Sequence, residues 1–424
     1  MKIKYNILDF KAEFSVYDKY FLIFILLLSA FFAFWKLGGE QLADWDESRQ
    51  GVNAFEMIQK KDYINYYYSN DQLDTWNAKP PLMVWLITVS YKLFGYNEFA
   101  LRFPSALSVL FFFIFAYKII RLYRDPVFTT IVCTALMGCK AVFSWHIGRT
   151  GDFDAMLMAL VTASAYYTLL YVDFNKRYGI VVAAFFLSLA FYTKGIPAFF
   201  LLPGIFLYAL LKDKLLHLFK DPLLYVSIIL FLLISGSWFL LLVLYGKTFD
   251  PSKSYGGSKN ALETMIFYDT FQRFSSKDFD PANDQGRNLA YFFAAMRSRL
   301  NGWSYVFYTS CILGVYLLFV NRKNLKTFIL LKSNNLILLS LCISVSLSLL
   351  LTVVRNQHDW YLSPAFLFIA IIAFTGIFYL YKKYQWISYP LMLILITSLF
   401  MQFFILNNPS SANTAFFSQH RKTL

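Results

Sequence analysis

The chain has 424 residues, of which 58% are apolar, 20% aromatic and only 15% charged, against the roughly 25% charged that a typical soluble domain carries. With a mean hydropathy of +0.50 there is too little polar surface to face water, which excludes a string of soluble domains and makes lipid the main solvent. The formal charge of +14 comes from Lys and Arg scattered among apolar runs rather than gathered on one face, and this excludes nucleic-acid binding.

Apolar stretches bounded by charge or Gly/Pro clusters predict about eleven membrane helices, near residues 20–37, 101–120, 127–145, 154–172, 180–193, 197–211, 223–245, 304–320, 334–354, 361–380 and 387–406. The first stretch is long for a signal peptide and lacks a small-residue cleavage site, so it is expected to remain as an anchor. Between 180 and 211 only Lys194, Gly195 and Pro197 interrupt the run, which suits two helices meeting at a tight turn. Cys133, Cys139, Cys311 and Cys342 all lie in apolar runs and read as small core residues, not as disulfides or thiolate metal ligands.

Every segment assigned to the inner side is basic if the N-terminus is cytoplasmic. The long loops 38–100 and 246–303, and the turns 146–153, 194–197 and 355–360, then share the outer face. Within the first loop, residues 46–60 form an amphipathic pattern with Val52, Phe55 and Ile58 on one face, suited to a helix lying at the interface. Segment 82–94 is apolar but short of a span and reads as re-entrant or interfacial. Segments 261–274 and 288–300 are expected to be amphipathic helices. The expected architecture is one all-α transmembrane domain over 1–406, roofed by interfacial helices, with a short outer tail at 407–424.

Chemistry-bearing residues concentrate on the outer turns. Asp44, Asp46, Glu47 and Arg49 follow the first span and place a candidate general base beside an anion-binding group. The same Asp44–Glu47 spacing also fits a capping box opening the 46–60 helix. Lys79 precedes a Pro pair, where helix punctuation and a snorkelling lysine are the alternative reading. Arg149 and Asp154, in GRTGDFDAM, bring a cation and a carboxylate to a helix mouth, with Asp152 as the nearer alternative carboxylate. Lys194 lies between two apolar helices, and Arg355, His358 and Asp359 complete the ring. No His/Cys/Asp spacing makes a metal site persuasive. Such a cluster, on an apolar bundle, would act on something both lipid-soluble and anionic, and a lipid bearing phosphate meets both demands.

The order DWDESRQGVNAFEM, NAKPPLMVWLITVSYKLFGYNEFALRFPSAL, GRTGDFDAML, LAFYTKGIPAFFLLPG resembles the polytopic GT-C glycosyltransferases grouped with the lipid A aminoarabinose transferases and the protein O-mannosyltransferases. The likeness covers the N-terminal half; the 246–303 loop matches loosely, with Gly302 before Trp303 where a Pro-Trp pair is common.

The resemblance implies a GT-C-type bundle that moves a sugar from a polyprenyl-phosphate donor to a lipid A, glycan or protein acceptor. The site would face the periplasm or exterior of a bacterial cytoplasmic membrane. Asp46 matches the family's acidic catalytic residue, with Glu47 beside it; Lys79 matches the lysine near donor phosphate, and Asp154 a carboxylate facing the same cavity. Arg49, Arg149, Lys194, Arg355 and His358 extend the substrate-binding set by charge and topology. Single displacement with inversion follows if Asp46 takes the acceptor proton, and a divalent metal is compatible with this chemistry without being required. The chain stops about eighteen residues after the last predicted span, so the soluble C-terminal domain of some relatives is expected to be missing. A transporter or flippase for a lipid-linked anion is the competing expectation; it calls for polar residues through the depth of the spans.

Overall fold

Helix boundaries follow the punctuation of the sequence in this computed structural model, which describes residues 16–42, 45–68, 72–272, 290–354 and 357–407. Asn97 opens the helix Glu98–Arg121 by accepting from the Ala100 N–H. Asp125 and Asp221 do the same ahead of Pro126 and Pro222, each pairing an N-cap oxygen with a proline whose missing N–H would have had no partner in any case.

The helices used below are α1 (Asp18–Phe34), α2 (Asp46–Lys60), α3 (Leu82–Phe94), α4 (Glu98–Arg121), α5 (Pro126–Met137), α6 (Asp154–Val172), α7 (Tyr178–Lys194), α8 (Leu202–Leu211), α9 (Pro222–Tyr245), α10 (Ala290–Leu300), α11 (Trp303–Val320), α12 (Asn335–Val353), α13 (Phe366–Lys383) and α14 (Ser388–Asn407). Among the described residues, seven helices are long and apolar enough to cross a membrane, and α3, α5, α7 and the Ile196–Leu211 stretch are shorter apolar helices. The protein is an integral membrane bundle. Its centre and rim differ in burial. In α6, 78% of the apolar window is buried against neighbours, but only 22% in α9, α11 and the span ending α14, so those three turn most of their surface to lipid. Helices α4 and α7 flank α6, α9 packs on α7, and α13 lies between α11 and α12.

One element departs from the expected outline and two keep to it. The stretch expected as one span over 127–145 is helical only to Met137 and then becomes a series of turns, which frees His146 and Arg149 from helical geometry. The 180–211 run divides at Gly195, whose φ of +74° is a backbone state that glycine adopts without Cβ strain. Helix α2 buries Glu47, Gln50, Asn53, Ala54 and Met57 and leaves Phe55 exposed. Its inward face mixes polar Glu47, Gln50 and Asn53 with Ala54 and Met57, while Phe55 turns outward, as suits a helix lying at a lipid boundary.

Alternation of the helices gives the bundle two charged ends. One end holds the termini near Asp18, Arg121, Asp173, Arg177, Lys212 and Asn335. The other gathers the C-terminus of α1, all of α2, the N-termini of α4 and α6, the C-terminus of α7, and the turns 138–153 and 357–365.

Candidate active site

The site end is assembled around Glu47. Its carboxylate receives Arg102 Nε at 2.7 Å and Nη2 at 3.0 Å, a bidentate pair in the geometry arginine favours. The Gly151 N–H also donates to it, at 3.0 Å. The remaining Arg102 donors reach the carbonyls of Leu37, Glu40 and Gln41, each at 3.0 Å. One buried ion pair thus ties together α2, α4, the segment after α1 and the turn before α6. Both partners are almost wholly buried, which gives Glu47 a positioning geometry beside Asp46. The Glu47 side chain is therefore turned to Arg102 and Gly151 rather than to a capping box, and Asp44 lies outside the described residues.

Asp46, next in the chain, stands at the open side with 45% of its side chain exposed. Partial burial pushes its carboxyl up, but the charges of Lys79, His146, Arg49 and Lys194 together hold it below the ordinary carboxylate range. His146 Nδ1 lies 3.8 Å from Asp46 and 3.3 Å from Asp152. Ligand atoms of these three residues lie within 4.8 Å of one another, and one imidazole with two carboxylates is a donor set that divalent cations accept. His146 reaches this place through a left-handed backbone, φ +64°, and its ring stacks on Trp360 at 3.8 Å.

Behind the carboxylates lies a cavity of about 340 Å³, lined by Lys79 and Lys194 together with Phe191, Phe199, Phe239 and Tyr361, among others. Its wall is apolar and its charges are two cations and one carboxylate, Asp269. Lys194 Nζ holds both oxygens of Asp154, at 2.7 and 2.5 Å, and Lys79 Nζ lies 3.5 Å from Asp269. Burying a charge at a helix terminus is costly unless it is paired, so these pairs keep two ammonium groups at the edge of an otherwise greasy chamber.

The other expected residues divide. Arg49 is 3.9 Å from Asp74 and packs 5.1 Å from the Trp45 ring. Arg149, expected in the substrate-binding set, is engaged elsewhere. Its guanidinium donates to the carbonyls of Phe32, Ala33 and Lys36, capping the end of α1, where unsatisfied carbonyls attract a cation. His358 stacks on Trp360 at 4.3 Å, one ring away from His146. Arg355 lies outside the described residues. His146, Arg102 and Asp269 were missed in the sequence. The signal for His146 was its place in the same turn as Arg149 and Asp152, and Arg102 sits in RFPSAL, but the loop holding Asp269 carried no legible pattern.

Residues 78–239 match the family profile described as dolichyl-phosphate-mannose-protein mannosyltransferase. An uncharacterised Aquifex aeolicus protein is 28% identical over 225 residues, 52% of this chain and 43% of that one. The Bacillus subtilis protein named "Putative mannosyltransferase YycA" is 23% identical over 256 residues, 59% of this chain and 36% of its own. Among solved structures, ArnT from Cupriavidus metallidurans bound to undecaprenyl phosphate superposes with a TM-score of 0.65 at 17% identity, covering 86% of this chain and 60% of that one. At that identity the likeness establishes the fold alone. The chain spans less than two thirds of the length of each of these three relatives.

Proposed function

We propose, from the premise that this chain has the GT-C glycosyltransferase fold, that it transfers a sugar from a polyprenyl-phosphate donor to an acceptor at the outer face of a bacterial cytoplasmic membrane. The observation that carries this reading is that Asp46 lies in the field of Lys79 and Lys194, and that these two lysines line an apolar cavity. An isoprenoid tail suits the phenylalanine-lined wall, and a phosphate suits two ammonium groups in a water-poor setting. Among the described residues, the buried charged side chains lie at the two ends of the bundle, which supports chemistry at a surface over passage through the spans.

As the bond from the anomeric carbon to phosphate breaks, negative charge grows on the leaving oxygen. Lys79 and Lys194 are set to meet it without reorganisation. Asp46, kept ionised by the same cations, accepts the proton of an attacking hydroxyl, so that one displacement inverts the anomeric centre. Asp154 holds Lys194 in place, and Glu47, through Arg102 and Gly151, fixes the turn that carries Asp46. A divalent cation, when held by Asp46, His146 and Asp152, would add positive charge where the acceptor or donor oxygens gather.

The test is direct. Purified protein in detergent, given a polyprenyl-phosphate-linked sugar and an envelope-lipid extract, is expected to release polyprenyl phosphate and label an acceptor. Asp46→Asn should bind the lipid and fail to turn over; full turnover in that variant removes Asp46 from the chemistry.

A further inference from the structure

On the solvent side of Asp46 the surface changes character. Trp45 is 69% exposed and Trp76 46% exposed, although large aromatic side chains are ordinarily well covered. Trp45 is held there by a backbone with φ +74° and ψ −97°, a state that costs a bulky residue free energy and persists only where surrounding structure enforces it. The enforcement is visible. Glu47, two residues on, is locked by the Arg102 clamp, and the strained peptide at Trp45 turns the indole outward.

Trp76 is fixed from below. Its backbone N–H donates to Asp74 Oδ1 at 3.0 Å, and buried Asp74 is itself held by Asn53 at 3.1 Å. From the second long loop, Tyr255 stacks on Trp76 with ring centroids 4.0 Å apart and planes at 29°. Trp45 lies 6.2 Å from Trp76 on the other flank. Gly256, at φ +64°, lets the chain turn under Tyr255; a Cβ there would run into the ring of Tyr268 at 2.1 Å. The Arg49 guanidinium borders the shelf 5.1 Å from Trp45, and its buried Nε has no hydrogen-bond partner among the described residues.

We infer that this shelf of Trp45, Trp76 and Tyr255, edged by Arg49, is a binding subsite for the acceptor and that the acceptor group it takes is a saccharide. The inference rests on the glycosyl-transfer reading and adds a substrate class to it. Exposed aromatic faces carry partial negative charge and attract the polarised C–H groups on the flat side of a pyranose. A sugar laid there presents its hydroxyls sideways, to the guanidinium of Arg49 beside Trp45 and to the Asp46 carboxylate next in the chain. A membrane-interface belt would also use Trp and Tyr, but it requires neither a strained backbone nor a second loop stacked against the first. A peptide acceptor would need a run of backbone partners, whereas the shelf offers ring faces and one cationic edge.

The experiment uses the full chain in nanodiscs. A panel of manno-, gluco- and galacto-oligosaccharides is titrated by saturation-transfer NMR and tryptophan fluorescence, with undecaprenyl phosphate binding measured separately by thermal shift. At least one oligosaccharide is expected to saturate, and Trp76→Ala and Tyr255→Ala to weaken it about tenfold each while undecaprenyl phosphate binding stays within about twofold of the parent. Trp76→Phe, which keeps a ring face, should restore most of the sugar affinity and guards against misfolding as the cause. If no oligosaccharide saturates, or Trp76→Ala binds it unchanged, the subsite is refuted. The same holds if the aromatic variants alter only partition into vesicles, which would make the shelf an interface belt. Loss of undecaprenyl phosphate binding in the parent chain, with sugar binding intact, would instead overturn the donor reading.

Discussion

The two ends of the bundle bury charge in opposite ways. At the end away from the site, Asp18 is taken up by Arg121 and by the Tyr117 hydroxyl, with Nη2 at 2.8 Å and the hydroxyl at 2.7 Å. Asp173 accepts from Tyr123 and Tyr208, each at 2.5 Å. These are closed units in which the acid is consumed by its neighbours. At the site end the Glu47–Arg102 pair is equally closed, yet beside it Asp46 is half-exposed and Lys79 and Lys194 line a chamber. Both ends contain buried ion pairs, so charge in an apolar bundle does not by itself mark function. What separates the ends is that one couples its closed pairs to a half-open carboxylate and an adjoining cavity.

That contrast can be broken first at Asp46. Asp46→Asn is expected to lower turnover about a thousandfold with the thermal midpoint unchanged, read as initial rates and unfolding on the same preparation. A loss of stability comparable with the loss of rate would instead place Asp46 with the closed pairs. The complementary change, Asp18→Asn, should leave Arg121 buried without its charge partner and cost about 3 kcal/mol of stability. Turnover per folded molecule should stay near the parent value, and a collapse of turnover with intact folding would show that the far end takes part in the reaction.

A smaller effect is expected from Lys79→Met, which keeps length and removes charge. It should weaken undecaprenyl phosphate binding about tenfold, measured by thermal shift, and unchanged binding would take Lys79 out of the phosphate site. Mn²⁺ is expected to raise the thermal midpoint of the parent chain by a few degrees through binding to the folded state. Neither His146→Ala nor Asp152→Asn should respond, and a parent chain indifferent to Mn²⁺ shows that the three residues do not act as a metal site.

The smallest effect concerns Asp62, in the turn after α2. Burial pushes its carboxyl up, but the Tyr67 hydroxyl and the Asn65 and Ile64 donors outweigh that and hold it below the usual carboxylate range. A carboxyl lowered by folding stabilises the fold at pH above its unfolded value, and that contribution fades as pH falls through the folded value. Asp62→Asn should therefore cost about 1 kcal/mol near neutrality, and the gap between variant and parent should close toward acid. A gap that is independent of pH would point to packing rather than ionisation.

Much of the scaffold was legible in the sequence because a bilayer imposes a coarse, one-dimensional demand: every span must be long and apolar. The helix from Asp154, the break at Gly195, the interfacial helix from Asp46 and the short apolar helix from Leu82 could all be read that way. The 127–145 stretch misled, since residues 138–145 are apolar enough to extend a helix but turn away under tertiary contacts. Within the site, Asp46, Lys79 and Asp154 were singled out by the family resemblance, and Lys194 by charge placed against apolar surroundings. Arg149 met the same criterion and caps α1 instead. A cation at a span boundary looks alike in sequence whether it meets a ligand or a row of carbonyls.

What the sequence determined alone was the solvent, the number and order of apolar stretches to within a few, and the gathering of acids in certain loops. Those depend on composition and local spacing. Which charges meet was set by packing in three dimensions: Glu47 closes on Arg102, 55 residues away, Lys194 reaches Asp154, 40 residues away, and His146 joins Asp46 and Asp152. Electrostatic pairing depends on distances of a few ångströms in space, and separation along the chain carries no information about them.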